Sequence, residues 1–499
     1  MVNVQEIIDL ITAREINQKE KLIIKAYNFA ERAHEGQKRM SGEPYFNHAF
    51  ETAKILASLG MDAETIASGL LHDVLENTKT TEKELEEEFG PEILFLVNGV
   101  TKLGILKYRG HERYVENLRK FFIAMAEDLR VVIIKFADRL HNLKTLQFIP
   151  ENKRKRIALE SIEVYAPLAN RLGMGKLKAE IEDAAFPYVY PKEFTQMEEI
   201  MKTKIENTSI PSFVEIFYER NIAKTTEELK KELQKNKINS FVINYRVKHK
   251  YSLYKKLLKY DMDINKIHDI VALRVIVDSI EECYKVLGII HSIWNPLPGR
   301  IKDYIALPKP NGYQSIHTTI FTGLGGIAEI QIRTKEMHVK ADYGIVAHFA
   351  YKEQRDQENN TVKLKFKWIE ELKGLNYTPD DPKTFTENLK MDFFNDRIFV
   401  FTPEGDVIDL PKDSSPIDFA YSIHSDIGNH IFGVKINGKM SQIFSKLKNK
   451  DIVEIIQKKD AHPSSKWLGY ARTIIAKRHI RSYLEKNSLF SKLKSFGRS

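Results

Sequence analysis

The sequence has almost no cysteine and no long run of apolar residues. Its 499 residues include one cysteine, Cys283, which excludes a disulfide framework or a thiolate-rich zinc module and favours a reducing compartment. No stretch stays apolar for the ~18 residues that a membrane helix needs. The first residues carry acidic side chains rather than an apolar signal core. We therefore expect a cytoplasmic protein with no membrane partner.

A Walker loop is also missing. The pattern G-x-x-x-x-G-K-[S/T] does not occur, and the stretch GMGKLK from Gly173 lacks its spacing. Any bound phosphate must then be held by side chains and metal ions. The net charge of +9, from 77 basic and 68 acidic residues, favours anionic partners such as nucleotides or RNA. Lysine-rich faces of an ordinary cytosolic protein account for that charge equally well.

The hydrophobic period divides this multidomain chain into five segments. Apolar residues recur every three or four positions through most of residues 1–195, which predicts an all-α domain. Strand patterns alternate with helical ones over 196–355, which predicts an α/β domain. A polar linker (356–395) then leads to a small β-grasp-like unit (396–458) with a hairpin around Glu404-Gly405. Residues 459–499 read as a basic helical tail.

The all-α segment contains four candidate metal ligands, His48, His72, Asp73 and Asp138. A mixture of imidazole and carboxylate ligands suits Mn, Fe or Zn. Taken singly, each residue is more often structural, and Asp138 could simply pair with Arg139. Together, with an adjacent His-Asp pair in an all-α domain, they resemble the HD-type phosphohydrolases, in which this set binds the metal.

Other polar side chains surround these ligands. If residues 63–77 form one helix, Glu76 and Asn77 lie one turn beyond His72 and Asp73. Glu76 is then the acid available to take a proton from water. Arg39 is placed to hold a phosphate, and Asn142, one turn after Asp138, faces the same site.

The sequence also resembles one particular family within this superfamily. The stretches AHEGQKRMSGEPYFNH, LLHDVLENT and KFADRLHNLKTL resemble the hydrolase domain of the long RelA/SpoT stringent-response enzymes, which remove the 3′-pyrophosphate of (p)ppGpp with Mn²⁺. The resemblance implies that Arg39 contacts the nucleotide, Asn142 lines the pocket and Glu76 helps to activate water. Active hydrolases usually carry Asp where this chain has Asn77, and an amide cannot accept a proton at neutral pH. We therefore expect hydrolysis to be retained but slowed.

Two acids in the α/β segment form a second constellation. Asp269 is predicted to open one buried strand and Glu329 to lie inside another. Nucleotidyltransferase-like folds hold Mg²⁺ for phosphoryl transfer with acids on neighbouring strands. Edge charges paired with Arg274 or Arg333 are an equally weighted alternative. The dense basic residues nearby could form an RNA-binding face, but Tyr313, after an Asn-Gly turn, is suited to stacking on a base.

The stretches KHKYSLYKKL, HDIVALRVIV, GRIKDYIALPKPNGYQSIHTT and AEIQIRTKEMHVKADYGIVAHFAYKE are similar to the synthetase domain of the same family. That domain transfers pyrophosphate from ATP to the 3′-hydroxyl of GDP or GTP. The resemblance implies that Asp269 and Glu329 bind Mg²⁺ and carry catalysis, and that Tyr313 stacks on guanine. The remaining implied substrate contacts are Arg246, Lys248, His249, Ser252, Lys256, Arg300, Lys302, Lys309, Gln314, His317, Gln331 and Arg333.

Two details of this segment bear on the activity. Tyr245 and Val247 stand where the family typically has glycine and proline, so the loop between them and the next helix is expected to sit differently. The basic stretch RIKD, from Arg300, is the form associated with bifunctional members.

The unit over 396–458 resembles the TGS domain of long family members. There it can contact the 3′ end of tRNA through a run that here reads YSIHSDIG and contains His424. A docking module that tunes the two active sites is an alternative of comparable weight. Long members continue through further regulatory domains, which are not expected here because the sequence ends at Ser499.

The leading hypothesis is a GTP pyrophosphokinase that is also a guanosine-3′,5′-bis(diphosphate) 3′-pyrophosphohydrolase. Its partners would be ATP, GTP or GDP, and (p)ppGpp, with tRNA or the ribosome as further candidates. One alternative is a synthetase whose hydrolase domain is weakened by Asn77. Another is an inactive tRNA- or ribosome-binding regulator, against which the intact candidate metal ligands argue.

Overall fold

The computed structural model describes residues 2–11, 16–104, 124, 127–202, 222–267, 269–309, 311–322, 326–347 and 397–496. The described residues up to 347 belong to one compact unit, and those from 397 onward belong to a second. The predicted linker, 356–395, lies outside the described residues. None of the described helices is both long and apolar enough to cross a membrane.

The first part of the chain is helical, as its 3.6-residue period predicts. Its helices are α1 (Gln5–Ile8), α2 (Ile16–Ala33), α3 (Phe46–Ser58), α4 (Ala63–Leu71), α5 (Val74–Asn77), α6 (Glu82–Gly104), α7 (Leu129–Lys144), α8 (Glu151–Glu160), α9 (Ala166–Arg171), α10 (Gly175–Val189) and α11 (Pro191–Lys202). A short 3₁₀ helix, Leu146–Phe148, follows α7, and a π-helical turn, Ser161–Tyr165, joins α8 to α9.

One predicted helix is interrupted. The expectation of a single helix over 63–77 is wrong, because α4 ends at Leu71 and α5 begins at Val74. Asp73 has φ −101° and ψ −4°, away from helical values. The amide of Asn77 still donates to the carbonyl of Asp73 at 3.0 Å. The chain therefore bends at the His72-Asp73 pair without losing the turn that follows.

The second part of this unit is a mixed five-stranded sheet flanked by helices. Its elements are α12 (Lys224–Lys235), β1 (Val242–Val247), α13 (Lys250–Leu258), β2 (Val271–Val277), α14 (Ile280–Ile293), β3 (Lys302–Asp303), β4 (Ile316–Phe321), β5 (Ile327–Thr334) and α15 (Lys335–Tyr343). The strand order is β1-β2-β5-β4-β3, and only β2 and β5 run parallel. The core beneath the sheet includes Phe186 of α10 and Met197 of α11, so the late helices pack against it.

The second unit is small and mixed, as predicted. It contains β6 (Arg397–Phe401), β7 (Val407–Pro411), α16 (Pro416–Ile423), α17 (Ser425–Asn429), β8 (Ile431–Ile436), β9 (Lys439–Ser441), β10 (Val453–Gln457), α18 (Trp467–Tyr470) and α19 (Ile474–Phe496). The hairpin between β6 and β7 turns at Gly405, whose φ is 95°. A parallel bridge from Phe401 to Ile452 joins this hairpin to the sheet of β10, β8 and β9.

Two candidate active sites

The four predicted metal ligands of the helical part lie together. One atom each from His48, His72 and Asp138 falls within 4.8 Å of the others, and all three residues are buried. Nε2 of His48 is 3.2 Å from Oδ1 of Asp138 and 3.7 Å from Oδ2 of Asp73. Nε2 of His72 is 3.4 Å from Oδ1 of Asp73. Helices α3 and α7 and the bend after α4 thus converge on one centre.

The donor set fits a cation. Nδ1 of His72 donates to the carbonyl of Gly69 at 2.8 Å, which leaves Nε2 as a lone-pair donor. Among the described residues this buried Nε2 has no hydrogen-bond partner, although it faces two carboxylates. Burial opposes the charged form of Asp138, but the nearby Lys135, His48 and His72 hold the pKa of that carboxyl well below its usual range. Two charged carboxylates and an unpaired ring nitrogen are what a metal ion requires.

The structure adds three residues that sequence reasoning missed. Nδ1 of His48 is 2.7 Å from Nδ1 of His141, and burial together with His48 lowers the pKa of His141 to about 3. Nδ1 of the neutral His141 therefore accepts a hydrogen bond from Nδ1 of His48. This bond turns Nε2 of His48 toward the centre. Nζ of Lys135 lies 2.7 Å from Oδ2 of Asp138. Lys135 and His141 stand three positions either side of Asp138, so helical spacing could have revealed both.

The third of these residues, Tyr45, links Asn77 to the centre. The Tyr45 hydroxyl donates to Oδ2 of Asp73 at 2.8 Å, and it accepts from the amide of Asn77 at 3.0 Å. The side chain of Glu76 is largely exposed to solvent. The part of it that is desolvated, together with the charge of Asp73, raises the pKa of its carboxyl group. A raised pKa makes Glu76 a better proton acceptor.

Arg39 and Asn142 meet at the edge of the same centre. A guanidinium nitrogen of Arg39 donates to Oδ1 of Asn142 at 2.7 Å, and another donates to Oγ1 of Thr145 at 3.2 Å. Nδ2 of Asn142 donates to Oδ1 of Asp138 at 2.5 Å. The predicted nucleotide contacts of this part are therefore adjacent to the predicted metal ligands.

In the sheet part, Asp269 is held between two lysines. Nζ of Lys248 lies 2.5 Å from one carboxylate oxygen and Nζ of Lys256 lies 2.6 Å from the other. Burial opposes the charged form of Asp269, but the two ammonium groups lower its pKa. The predicted position at the strand opening is slightly wrong, because β2 begins at Val271. The carboxylate instead precedes the strand, on the chain that leads into it.

Glu329 lies on β5, between β2 and β4. It pairs in register with Ala272 and Thr319, and its Oε1 accepts from Gln331 at 2.9 Å and lies 3.5 Å from Nδ1 of His317. Within the described residues, neither acid forms a salt bridge with Arg274 or Arg333. The alternative of edge charges paired with those arginines is therefore not what the structure shows.

Polar side chains cross the sheet in one row next to these acids. The strand registers place in that row Asn244, Arg274, Gln331, His317 and Lys302. The Tyr313 hydroxyl contacts Nε2 of His317 at 2.8 Å. Burial and the cations Lys309 and Lys302 lower the pKa of His317 to about 3, so the ring is neutral. Arg274, which sequence reasoning treated only as a salt-bridge partner, belongs to this row.

Lys309 lies over two aromatic rings. Its Nζ is 4.8 Å from the centroid of Tyr313 and 4.5 Å from that of Tyr304, a residue not foreseen. Burial, reinforced by the Lys302 charge, lowers the pKa of Lys309 to about 8. Tyr313 thus sits in a partly desolvated cationic pocket, which suits an anionic aromatic ligand.

The other predicted substrate contacts of the sheet part differ in their exposure to solvent. Arg246, Arg300 and Lys302 are exposed, which leaves them accessible to phosphate. Arg333 is 1% exposed and one of its nitrogens is 2.8 Å from Nδ1 of His338.

Of the last three predicted substrate contacts, two bind other parts of the protein and the third lies in a helix. Gln314 donates to the carbonyl of Ile305 at 3.3 Å. His249 pairs with Asp183 of α10 at 3.1 Å. Ser252 lies in the first turn of α13.

Three domain families match the chain in this order. An HD domain matches residues 26–175, a "region found in RelA / SpoT proteins" matches 245–356, and a TGS domain matches 398–457. The chain belongs to the RelA/SpoT family. This confirms the predicted family and the predicted fold class of a helical HD domain, a synthetase region with a mixed sheet and a small TGS domain. An HD domain implies use of a divalent metal, and the centre at His48, His72 and Asp138 can hold one.

Relatives in this family carry the names of both activities. A GTP pyrophosphokinase of Myxococcus xanthus is 44% identical over 93% of this chain and 60% of its own length. A guanosine-3′,5′-bis(diphosphate) 3′-pyrophosphohydrolase of Aquifex aeolicus is 45% identical over 93% of this chain and 64% of its own. The bifunctional (p)ppGpp synthase/hydrolase SpoT of Escherichia coli is 40% identical over 93% and 65%. The chain thus spans less than two thirds of the length of these RelA/SpoT relatives.

Proposed function

We propose that the chain catalyses two opposed reactions of guanine nucleotides. One transfers pyrophosphate from ATP to the 3′-hydroxyl of GDP or GTP, and the other hydrolyses (p)ppGpp to GDP or GTP and pyrophosphate with Mn²⁺. The observation that carries the proposal is that one chain holds both acid constellations, one around an unpaired His72 Nε2 and one around a lysine-bound Asp269. Relatives named for each activity support it.

For hydrolysis, His48, His72, Asp73 and Asp138 would hold Mn²⁺, a metal that suits mixed imidazole and carboxylate ligands. The bound metal would supply a water of lowered pKa. Glu76, whose pKa is raised, takes the proton from the water, and Asn77 can orient that water but not deprotonate it. Arg39 and Asn142 hold the phosphate and ribose beside the centre.

For synthesis, Asp269 and Glu329 would hold Mg²⁺, which prefers carboxylate oxygens. Tyr313 stacks on guanine and Lys309 neutralises its phosphates. Glu329 takes the proton of the 3′-hydroxyl, the 3′ oxygen bonds to the β phosphorus of ATP, and AMP leaves. Lys248 and Lys256 stabilise the charge on the transferred group.

The remaining substrate contacts that we propose for synthesis lie on the same face or in adjoining loops. They are Arg246, His249, Ser252, Arg300, Lys302, Gln314, His317, Gln331 and Arg333.

We also propose the domain limits predicted from the sequence and a cytoplasmic location. Each matched domain family falls on one of the predicted domains. The exposed His424, at the break between α16 and α17, is the candidate contact of the TGS domain with tRNA or the ribosome.

Two assays on the purified chain test the function. With ATP, GTP and Mg²⁺ we expect AMP and pppGpp, and with ppGpp and Mn²⁺ we expect GDP and pyrophosphate. Asp269→Asn should abolish only the first reaction, and Asp73→Asn only the second. Synthesis without hydrolysis would favour the weakened-hydrolase alternative. Failure of both reactions would favour the inactive regulator.

A further inference from the structure

Two basic residues at the turn between β1 and α13 reach Asp269. Lys248, in the turn, and Lys256, on α13, bind the two oxygens of that carboxylate. α13 begins at Lys250, and the side chain of the preceding residue, His249, does not cap it. The first N–H groups of a helix have no acceptor within the helix. The start of α13 therefore depends on an acceptor from elsewhere.

Asp183, on α10 of the helical part, supplies that acceptor. Its Oδ1 accepts the backbone N–H of Tyr251 at 3.0 Å, and its Oδ2 lies 3.1 Å from Nδ1 of His249. Tyr251 is the second residue of α13, a position that capping oxygens commonly bind. A negative charge is also favourable at a helix N-terminus. One carboxylate thus fixes both the beginning of the helix and the ring that precedes it.

We propose that Asp183 is a positioning residue for pyrophosphate transfer, acting through the β1–α13 turn. The inference rests on the proposed synthetase function. Through α13 and the turn, Asp183 determines where Lys256 and Lys248 stand, and those lysines orient Asp269. The helical part of the chain thereby contributes a residue on which the geometry of the sheet site depends.

The expected effect is specific to one nucleotide. Tyr313 and Lys309, which we propose hold guanine, lie on a separate loop beside β4. Lys248 and Lys256 instead bind Asp269, the carboxylate that the proposed function assigns to Mg²⁺ and the group transferred from ATP. Asp183→Ala should therefore raise the KM for ATP about tenfold, the usual cost of losing a charged hydrogen bond, and leave the KM for GDP unchanged. Asp183→Asn keeps an acceptor for the Tyr251 amide and should restore most of the affinity. Hydrolysis of ppGpp by the same preparations should stay within about twofold of wild type.

Glu180→Ala is the matched control. Glu180 lies on the same helix, and within the described residues its side chain forms no hydrogen bond or salt bridge, so Glu180→Ala removes the same charge without touching the turn. An unchanged KM for ATP in Asp183→Ala would overturn the proposal. An equal rise of both KM values, or an equal loss of hydrolysis, would reduce Asp183 to a general structural role and overturn it too.

Hydrogen exchange of residues 248–258 provides a readout that does not depend on activity. We expect faster amide exchange at the start of α13 in Asp183→Ala than in Glu180→Ala, because the Tyr251 amide loses its acceptor. Equal exchange in the two variants would contradict the proposal. A wild-type chain that makes no pppGpp would contradict the proposed function instead, and the exchange comparison would still decide the role of Asp183.

Discussion

Within the described residues, the side-chain amide of Asn77 is linked to the proposed metal centre through the Tyr45 hydroxyl. The amide donates to that hydroxyl, so the hydroxyl proton points to Asp73. Asn77 thus supports a ligand but offers no base of its own. In Asn77→Asp a second carboxylate stands beside Glu76, and we expect hydrolysis of ppGpp to accelerate by roughly a hundredfold, the lower end of the usual contribution of a general base. Single-turnover rates with Mn²⁺ measure this effect.

Tyr45→Phe separates the two roles of Asn77. If the gained carboxylate acts as a base, Asn77→Asp should still accelerate hydrolysis in the Tyr45→Phe background. A gain that disappears in that background would mean that position 77 acts only through the tyrosine hydroxyl. An unchanged rate in the single variant would show that proton transfer at position 77 is not limiting.

The ammonium group of Lys309 predicts a pH dependence of synthesis. Burial lowers its pKa to about 8, so the charge that we propose holds the nucleotide is present below that pH and is lost as pH rises through it. We expect kcat/KM for GDP to fall above about pH 8, since kcat/KM reports the free enzyme. Lys309→Arg keeps its charge at higher pH. In that variant the decrease of kcat/KM should move beyond about pH 9. An unchanged pH profile would mean that another group causes the decrease.

At the scale of elements, the bend between α4 and α5 is a feature that hydrophobic periodicity does not predict. Apolar residues keep the same helical spacing on both sides of His72-Asp73, so the pattern predicts one continuous helix. At the interruption the pair meets residues that are distant in sequence, since His48 lies beside Asp73 and Asp138 lies beside His72. That His48, His72 and Asp138 lie together was predictable from their residue types and from the resemblance to HD-type phosphohydrolases. Tyr45 and Asp183 were not, because their partners are distant in sequence.

A buried carboxylate in the second unit ties two helices together. Asp418 is fully buried, and its Oδ2 accepts from the backbone and hydroxyl of Ser415, which begins α16. Its Oδ1 accepts from the amides of Arg472 and Thr473, just before α19, and from the Thr473 hydroxyl. The N-terminal end of α19, which lies within the basic tail predicted over 459–499, is therefore tied to α16.

Asp418→Asn places an N–H group where one of these oxygens accepts. We expect the free energy of unfolding of the second unit to fall by about 2 kcal/mol, the scale of leaving buried hydrogen-bonding groups without a partner. Hydrogen exchange along α19 in the full chain should increase. Asp460→Asn, at an exposed position, makes the same substitution as a control. Unchanged exchange along α19 would mean that packing around Trp467 holds the helix without Asp418.

At the scale of the first unit, its two parts meet through backbone as well as side chains. Nδ2 of Asn311, two residues before Tyr313, donates to the carbonyl of Asn170 at 3.1 Å. The amide of Ile345 donates to the carbonyl of Leu172 at 3.0 Å. Hydrophobic period identified helices and strands in each part, but no local pattern specifies contacts between them. The sheet site is therefore assembled partly by residues 170–183 of the helical part.

Gly344 is the closest point of that contact. Its φ is 57°, and a Cβ there would lie 2.3 Å from the Leu172 carbonyl oxygen and 2.6 Å from the Met174 amide nitrogen. Backbone atoms cannot rotate away, so Gly344→Ala must separate α15 from residues 172–174. Because the Tyr313 loop rests on the neighbouring Asn170, we expect synthesis to fall at least about tenfold, the scale of a displaced substrate contact. Hydrolysis, whose proposed metal ligands lie on α3, on α7 and at the bend after α4, should change by less than about twofold.

Gly405→Ala distinguishes this close approach from the cost of the backbone conformation alone. Gly405 also has a positive φ, 95°, but a Cβ there meets nothing within 4 Å. That variant bears only the left-handed penalty of about 1–2 kcal/mol and should keep both activities. If Gly344→Ala lowers synthesis no more than Gly405→Ala does, the backbone contact between the helical and sheet parts does not support the synthetase site. If it lowers both reactions equally, the contact serves the stability of the whole first unit and not the sheet site in particular.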